Sequence, residues 1–340
     1  MTGRPTIADI ARRAGVSKGA VSYALNGRPG VSAATRERVR AIAAELGWSA
    51  NTAARTLSGA RVDTVGLAVA RPARTLGLEP FFMGFVSGIE GLLAGRSVGL
   101  LLQVVPDHQA EVAAYRRWWA GRRVDGVIVI DLFDTDPRIP ALRELGLPFV
   151  VVGDSREDTG VTCVWSDETA AMAQVMDYLA ALGHRRIARV CGVPAFRHTA
   201  QRTAAFRAAA DRLGLGEVLT QGDYTGEDSA RATRLLLARS DRDRPTAIVY
   251  DSDVMAVAGL GVAAEMGIDV PGQLSVVSWD DSTLCRLTHP PLTALTRDAS
   301  GYGRHAATRL LAVVEGAPPA AYEDAPHELC IRGSTAPCRS

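Results

Sequence analysis

The sequence predicts two architectures in one chain: an all-α helix-turn-helix head, and an α/β body of two lobes that each hold a doubly wound parallel sheet. The chain has 340 residues, more than one ordinary domain needs. Residues 1–61 contain short helical stretches with capping residues. After Arg61, apolar strand-like runs alternate with helical stretches, and this alternation occurs twice.

Composition restricts the class of protein. Hydrophobic residues make up 47% of the chain and charged residues 22%, a balance typical of globular proteins, and no run of apolar residues is long enough to span a membrane. The first residues lack the apolar core of a signal peptide. We therefore expect a cytoplasmic protein with reduced thiols, no metal and no cofactor, since C-x-x-C spacing is missing among Cys163, Cys191, Cys285, Cys330 and Cys338.

Charge is distributed unevenly along the chain. Residues 1–61 hold ten basic residues against three acidic ones, a net charge of +7, and the remainder holds 28 basic against 34 acidic, a net charge of −6. This polarity predicts a head that binds a polyanion and a body that does not. The alternative is chance clustering of charge on solvated faces.

Three helices are predicted in the head. The first follows Thr6, which can form a capping box with Asp9, and the second and third can be capped by Ser17 and Ser32. Gly15 can take the left-handed turn between the first two helices. Apolar residues of the first helix recur at helical spacing, at Ile7, Ile10, Ala11 and Ala14.

The second helix of a helix-turn-helix enters the major groove of DNA, and its first residues reach base edges. In this sequence the base-reading candidates are Lys18, Gly19 and Tyr23, with Gly19 able to touch DNA only through its backbone. Lys18 is the only lysine in the chain and is placed where it could donate to guanine; the alternative is an ordinary exposed helix residue. The candidates for phosphate contacts are Thr6, Ser17, Ser22, Asn26 and Ser32.

The order of residues in the head supports a family resemblance. The matching stretches are Thr6-Ile-Ala-Asp-Ile-Ala-Arg-Arg-Ala-Gly-Val-Ser17, Val21-Ser22, Leu25-Asn26, Thr35-Arg36, Leu46-Gly47-Trp48 and Asn51-Thr-Ala-Ala-Arg55-Thr-Leu57. Together they resemble the head of LacI/GalR-type repressors, the family of the lactose and purine repressors. The resemblance implies a head over 1–48, a hinge helix and linker over 49–61 and a body over 62–340.

The hinge segment is expected to be helical only on operator DNA. Such a short segment does not hold a helix alone in water, so a partner must order it. The family's hinge leucine inserts into the minor groove, and Leu57 matches it; the wedge costs a few kcal/mol, which added contacts offset. Packing of Leu57 on the body is the alternative. The hinge candidates for DNA contact are Asn51, Ala54, Arg55 and Leu57.

In the body, strand-like runs cover 64–69, 98–104, 126–130, 149–152, 187–191, 246–250 and 274–278. Landmarks such as Arg123-Val-Asp125-Gly126 and Ser275-Val-Val-Ser-Trp279-Asp280-Asp281 extend the family resemblance over essentially the whole chain. It implies a periplasmic-binding-protein-like body whose chain crosses between the lobes near Thr162, Pro290 and Asp324. Lobe 1 would then comprise about 62–162 and 291–324, and lobe 2 about 163–290 and 325–340.

The family pattern also implies an effector site in the cleft between the lobes, formed by Phe82, Asp154, Arg202, Tyr224, Ser252 and Asp280. Arg202 matches an arginine that contacts polar groups of the effector, and Asp280 matches an acid of the opposite wall. Tyr224 matches a stacking aromatic. Ser252 replaces a common asparagine, and Asp154 lies next to the usual acid position, where this chain has Gly153. Each residue alone could instead form a structural ion pair or core contact.

The sequence thus predicts a non-enzymatic transcription regulator, a repressor by its family, that binds a palindromic operator as a homodimer or higher oligomer without a membrane partner. The expected effector is a sugar or sugar derivative, with a nucleobase as second choice. Two alternatives stay open: a non-catalytic sugar-binding protein, and an α/β enzyme with an appended helical domain. Neither explains residues 1–61. The dinucleotide-like run Gly259-Leu-Gly261-Val-Ala-Ala264 is discounted because it lies inside a predicted helix.

Overall fold

The computed structural model describes residues 5–48, 61–71, 79–156 and 160–338. The chain forms two compact units, Met1–Val62 and Asp63–Ser340. Among the described residues, no helix combines the length and the apolar character that a membrane span requires.

The first unit contains three helices, α1 (Ile7–Ala14), α2 (Lys18–Leu25) and α3 (Ala33–Glu45). The predicted capping box is confirmed: the Thr6 hydroxyl accepts a hydrogen bond from the Asp9 amide, and the Asp9 carboxylate accepts one from the Thr6 amide. Gly15 ends α1 with a φ of +66°. Ser17 and Ser32 cap α2 and α3 as predicted.

A small apolar core joins the three helices of this unit. Its buried members are Ile10, Ala11, Ala14, Val21, Ala24, Val39 and Ala43. Because Val21 and Ala24 point inward, the opposite face of α2 is left on the surface.

The second unit contains two six-stranded sheets. The first has the order β11-β5-β4-β3-β1-β2 and is parallel throughout; its strands are β1 (Thr64–Ala70), β2 (Gly99–Val105), β3 (Gly126–Val129), β4 (Phe149–Val152), β5 (Thr162–Trp165) and β11 (Ala321–Glu323). The second has the order β12-β10-β9-β8-β6-β7, with only β12 antiparallel; its strands are β6 (Arg186–Val190), β7 (Gly216–Thr220), β8 (Ala247–Tyr250), β9 (Ser275–Ser278), β10 (Thr293–Thr296) and β12 (Glu328–Cys330).

Helices cover both faces of each sheet. Around the first sheet, α4 (Pro80–Ala94) and α12 (Ala299–Val314) share one apolar cluster, and α5 (His108–Ala120) and α6 (Arg138–Leu145) share another. Around the second sheet, α7 (Glu168–Ala181) and α8 (Arg197–Leu213) pack in one cluster, and α9 (Gly226–Leu237), α10 (Asp253–Glu265) and α11 (Thr283–Leu287) in another. The prediction of two doubly wound lobes is confirmed.

The chain crosses between the lobes three times, and the sheets place two of these crossings later than the sequence suggested. The first follows Trp165 rather than Thr162, because β5 belongs to the first sheet, and the second follows Thr296 rather than Pro290, because β10 belongs to the second. The third lies between β11 and β12, where Asp324 stands. Lobe 1 therefore includes β5 and excludes β10.

Two glycines bring α4 and α12 close together. A Cβ on Gly88 would lie 1.9 Å from the Ser300 carbonyl oxygen, and one on Gly303 would lie 2.0 Å from that of Phe85. Only glycine fits such an approach of two backbones. The first turns of both helices supply residues that line the cleft, among them Phe82 and Tyr302.

Candidate functional site

The second helix of the head presents two side chains to solvent. Lys18 and Tyr23 are exposed, Tyr23 to 44%, and within the described residues neither side chain has a hydrogen-bond or ion-pair partner. Gly19 is exposed as well. This surface therefore offers an ammonium group, a phenol and a stretch of open backbone, as a base-reading helix would.

The predicted phosphate-contacting side chains also lie on the head's surface, but most already serve the fold. Thr6 donates its hydroxyl hydrogen to Asp9, and Ser32 donates to Thr35. The Ser22 hydroxyl accepts a hydrogen bond from the Asn26 amide at 3.3 Å. The predicted hinge contacts, at Asn51, Ala54, Arg55 and Leu57, lie outside the described residues.

A cavity of about 110 Å³ lies between the lobes, where parallel strands of both sheets have their carboxyl ends. It is large enough to hold more than single waters. All six residues predicted for the effector site line it: Phe82, Asp154, Arg202, Tyr224, Ser252 and Asp280. The cleft expected from the doubly wound topology is thus present.

Two arginines in this cavity share one carboxylate. Arg202 donates from Nε to Glu168 Oε2 at 2.6 Å, and Arg297 donates from Nη2 to Glu168 Oε1 at 2.9 Å. All three side chains are at most 10% exposed. Burial alone would raise the pKa of Glu168, but the two guanidinium charges lower it far below its usual value. Glu168 is therefore ionised, and the cluster of Arg202, Glu168 and Arg297 carries one excess positive charge.

The Arg202 guanidinium also lies 4.2 Å from the centroid of the Trp279 ring. Contact with both a carboxylate and an aromatic face fixes the plane of the fork. Sequence reasoning found Arg202 but missed Glu168 and Arg297, which were not recognised as site residues.

Two carboxylates lie next to this cluster. Burial raises the pKa of Asp280 to about 7, although Arg202 opposes the effect, and within the described residues its carboxylate has no hydrogen-bond partner. Burial likewise raises the pKa of Asp253, whose Oδ2 atom is buried without a partner in the described part of the chain. These oxygens are available to accept hydrogen bonds from a bound molecule.

One prediction about this wall is wrong. Asp280 follows β9 and Arg202 lies on α8, and both elements belong to lobe 2, so Asp280 does not face Arg202 from the opposite wall. The opposite wall is lobe 1. Ser252 has a structural task in lobe 2, since its hydroxyl caps α10 by accepting a hydrogen bond from the Met255 amide at 3.3 Å.

An aromatic residue, Tyr224, lines one side of the cavity. The Tyr224 hydroxyl bonds His198 Nε2 at 2.8 Å and Thr199 at 3.2 Å. A Cβ on Gly192 would lie 1.9 Å from the Tyr224 ring, so this glycine makes room for it. Burial, together with repulsion from Arg202, lowers the pKa of His198 to about 4, which leaves the imidazole neutral near pH 7.

Lobe 1 contributes a second charged cluster. Arg71 donates to both carboxylate oxygens of Asp131, at 2.8 and 3.0 Å, and pairs with Glu79. Its guanidinium lies 5.7 Å from the centroid of the Tyr224 ring in the other lobe. Burial raises the pKa of Asp131, but Arg71 overrides this and holds it below its usual value.

The two lobe-1 residues that were predicted differ in environment. Phe82 is buried, with 2% of its surface exposed. The Asp154 carboxylate pairs with Arg156 at 2.8 Å, and its carbonyl oxygen accepts a hydrogen bond from Arg197 of lobe 2 at 3.0 Å. Asp154 therefore already has partners, unlike Asp280.

Metal binding finds no support in the described ranges, where no group of three or more His, Cys, Asp or Glu side chains could hold an ion. The run from Gly259 to Ala264 lies inside α10, as predicted. A Cβ on Gly259 would lie 2.2 Å from the Tyr250 hydroxyl, so this glycine serves packing.

A helix-turn-helix head joined to a two-lobed body whose cavity is lined by charged and aromatic side chains defines the class of ligand-responsive DNA-binding proteins. Comparison with known proteins narrows the class. Residues 6–51 match the family model "Bacterial regulatory proteins, lacI family", and residues 176–335 match "Periplasmic binding protein-like domain".

Known relatives match over nearly the whole chain. The HTH-type transcriptional regulator CelR of Thermobifida fusca is 34% identical over 319 residues, which cover 92% of this chain and 93% of that protein. The lac repressor dimer bound to operator and the anti-inducer ONPF is similar with a TM-score of 0.85 and 25% identity, covering 98% of this chain and all of that one. The CelR–cellobiose complex gives a TM-score of 0.72 and 32% identity, covering 97% of this chain and all of that one.

The chain belongs to the LacI family of bacterial transcriptional regulators, which bind DNA and are not enzymes. Its periplasmic-binding-protein-like body is the effector domain of that family. The family resemblance, the fold class and the non-enzymatic function predicted from the sequence are confirmed.

Proposed function

We propose that this protein is a homodimeric repressor whose hold on a palindromic operator is controlled by a sugar or sugar derivative in the cavity between its lobes. The observation that carries the proposal is the pairing, in one cavity, of unpartnered acceptors with fixed donors. Asp280 and Asp253 offer carboxylate oxygens, and Arg202 lies beside them with its fork held in one plane.

A sugar matches this arrangement chemically. Adjacent hydroxyl groups can donate to a carboxylate and accept from a guanidinium at the same time. The apolar face of a pyranose ring packs on aromatic side chains, for which Tyr224 and Phe82 stand at the cavity wall. Similarity to a regulator solved with cellobiose supports this class of ligand.

The effector would act by favouring one arrangement of the lobes. Its site draws on both of them, and the chain enters the body directly before β1 of lobe 1. A shift of lobe 1 would change where the hinge segment ends, and with it the contacts of Asn51, Ala54, Arg55 and Leu57 with DNA. A 100-fold change in operator affinity needs a coupling free energy of about 2.7 kcal/mol.

On the DNA side, Lys18, Gly19 and Tyr23 would read base edges, since they lie exposed on α2. The side chains proposed to contact phosphates are Thr6, Ser17, Ser22, Asn26 and Ser32. Two heads related by the two-fold axis of a dimer then require two related half-sites, which predicts a palindrome.

Exposed apolar side chains support pairing through the bodies. Leu102 and Val104 project from the same face of the edge strand β2 and are 40% and 39% exposed. In lobe 2, Leu287 is 77% exposed and Ile331 58%. Edge strands with apolar side chains are usually covered, and a second copy of the chain would cover this one.

The proposal is tested with Arg202→Ala. Purified wild-type protein is screened by thermal shift against cellobiose, maltose, glucose and the purine bases, and operator binding is followed by fluorescence anisotropy. We expect one sugar to raise the melting temperature of the wild type and change its DNA affinity. Arg202→Ala should bind DNA normally but lose the response to the sugar.

Arg207→Ala is the matched control, because Arg207 lies on the same helix with 60% of its side chain exposed. Arg207→Ala should keep both normal DNA binding and the response to the sugar. A purine response would replace the sugar with a nucleobase, no response to any compound would contradict the effector class, and loss of DNA binding in Arg202→Ala would assign Arg202 to folding.

A further inference from the structure

The end of lobe 1 that faces away from the cavity has a distinct charge. The parallel strands of the first sheet direct their carboxyl ends to the cavity, so their amino ends lie at the opposite, outer end of the lobe. The chain enters the body at this outer end, because Asp63 directly precedes β1. The outer end of lobe 1 is therefore the part of the body to which the head is tethered.

Four arginines are exposed near this outer end, and we call them the outer arginine patch: Arg96, Arg116, Arg117 and Arg123. Arg96 stands three residues before β2 and Arg123 three residues before β3, and the other two lie in the last turns of α5. Among the described residues, none of the four guanidinium groups has a hydrogen-bond or ion-pair partner.

The local sequence makes the patch unusual for this body. Residues 112–124 contain four arginines and no acidic residue, whereas residues 62–340 carry a net charge of −6. The nearest acid in the chain, Asp125, already accepts a hydrogen bond from the Thr64 amide at 3.3 Å. The patch is thus a positive surface on an otherwise acidic body.

The backbone beneath the patch is firmly packed. Trp118 is fully buried in the core, and a Cβ on Gly66 would lie 2.6 Å from its ring, so α5 rests tightly on the sheet. A role in stabilising the carboxyl end of a helix would explain Arg117. It does not explain Arg96 or Arg123, which lie outside helices.

We propose that the outer arginine patch binds phosphates of duplex DNA that flanks the operator, outside the bases read by the head. Guanidinium groups pair with phosphates without regard to sequence, which suits flanking DNA. Residues 49–60, which separate the last described residue of the head from Arg61, the next described residue, span at most about 45 Å. While the head is bound to its operator, this tether keeps the point at which the chain enters lobe 1 within that distance of the head.

The experiment compares two lengths of DNA. Full-length protein selects a duplex from a random-sequence library, and this duplex is prepared at about 20 and about 40 base pairs with the same centre. Affinity is measured over a range of salt concentrations for the wild type and for the triple variant Arg96→Gln, Arg117→Gln, Arg123→Gln. The single variant Arg123→Gln is measured alongside, in case the triple variant folds poorly.

We expect the wild type to bind the long duplex more tightly and the triple variant to lose this preference, with unchanged affinity for the short duplex. On the long duplex, the slope of log affinity against log salt should fall by about 0.9 for each phosphate that the variant no longer neutralises. Arg123→Gln should show a smaller loss of the same kind.

The matched control is Arg185→Gln, Arg207→Gln, Arg239→Gln, which removes three exposed arginines of lobe 2. It should bind both duplexes as the wild type does. The proposal would be overturned if the folded triple variant showed the same salt slope and the same preference for the long duplex as the wild type. If the triple variant does not fold, the same result in Arg123→Gln would overturn it. Failure of the wild type to select any duplex would instead count against the proposed operator binding, and the patch would then be judged by the same salt slopes on random duplex.

Discussion

The two lobes of the body share one architecture but present different chemistry to the cavity. Each has six strands with helices on both faces. The charged groups of lobe 1 bond one another, since Arg71 uses its guanidinium on Asp131 and Glu79. In lobe 2, by contrast, Asp280 and the Oδ2 atom of Asp253 have no partner among the described residues.

This difference indicates which lobe gains most from a ligand. A buried carboxylate oxygen without a hydrogen bond costs free energy, and a ligand that donates to it removes that cost. A carboxylate that is already paired gains little. We therefore expect lobe 2 to supply most of the binding free energy, and lobe 1 to supply a preformed wall.

The largest expected effect is a loss of stability when Glu168, which bonds two buried arginines, is replaced. Glu168→Ala removes the carboxylate that bonds both Arg202 and Arg297 and leaves two buried guanidinium groups next to each other. Breaking a buried pair in this way costs about 3–5 kcal/mol of unfolding free energy. Urea unfolding of the full chain at pH 7 measures the loss.

The loss of unfolding free energy in Glu168→Ala should be smaller at acidic pH. Because the pKa of Glu168 is lowered in the folded protein, its stabilising effect is complete above its ordinary value of 4.5 and is lost as the pH falls below that value. Asp177→Ala is the control, since it breaks an exposed pair with Arg212 and should cost under about 1 kcal/mol. Equal losses in the two variants would show that the cluster does not support the fold.

The next largest effect concerns the ligand itself. The pKa of Asp280 is raised to about 7, so the carboxylate that accepts ligand hydroxyl groups is ionised at pH 8 and mostly protonated at pH 6. Effector affinity of the wild type should therefore rise about tenfold between these values. Asp280→Asn should bind the effector about 10- to 100-fold more weakly at pH 8, because a hydrogen bond to a charged group is lost, and its affinity should depend little on pH. Titration calorimetry measures both effects.

Two neighbouring groups, His198 and Glu168, do not produce this pH dependence of effector affinity. The pKa of His198 is lowered to about 4 by burial and by Arg202, and that of Glu168 lies lower still, so neither group titrates between pH 6 and 8. Asp253, whose pKa is also raised by burial, is tested separately by Asp253→Asn. A full pH dependence that survives in Asp280→Asn but is lost in Asp253→Asn would assign the titration to Asp253, and one that survives in both variants would assign it to Glu79, whose pKa burial also raises.

Some elements could be predicted because their signals lie within a few neighbouring residues of the sequence. The capping box of Thr6 and Asp9, and the helical setting of Gly259, follow from residues a few positions apart. The short edge strands gave no such signal: β11 and β12 have three residues each and no buried one, so no apolar run marks them. Two of the predicted lobe crossings were displaced because β5 and β10 were not among the predicted strand-like runs.

Prediction of the cavity from the sequence has the same limit. The family pattern found six residues that line it, but it gave no sign of their partners. Arg297 lies 129 residues from Glu168, and Asp131 lies 60 residues from Arg71. Ion pairs of this kind are made by the meeting of distant strand ends, and a single sequence contains no spacing that encodes them.

The smallest effect is expected in lobe 1, and it decides whether the comparison between the lobes holds. Asp131→Asn keeps one carbonyl oxygen for Arg71 and leaves Arg71 paired with Glu79. Asparagine tolerates the left-handed backbone of this position, where φ is +53°. Since these groups already satisfy one another, we expect effector affinity to fall less than about threefold and the pH dependence of the wild type to be retained. A loss as large as that of Asp280→Asn would mean that lobe 1 bonds the ligand directly, and the two walls would then have to be regarded as equal partners in binding.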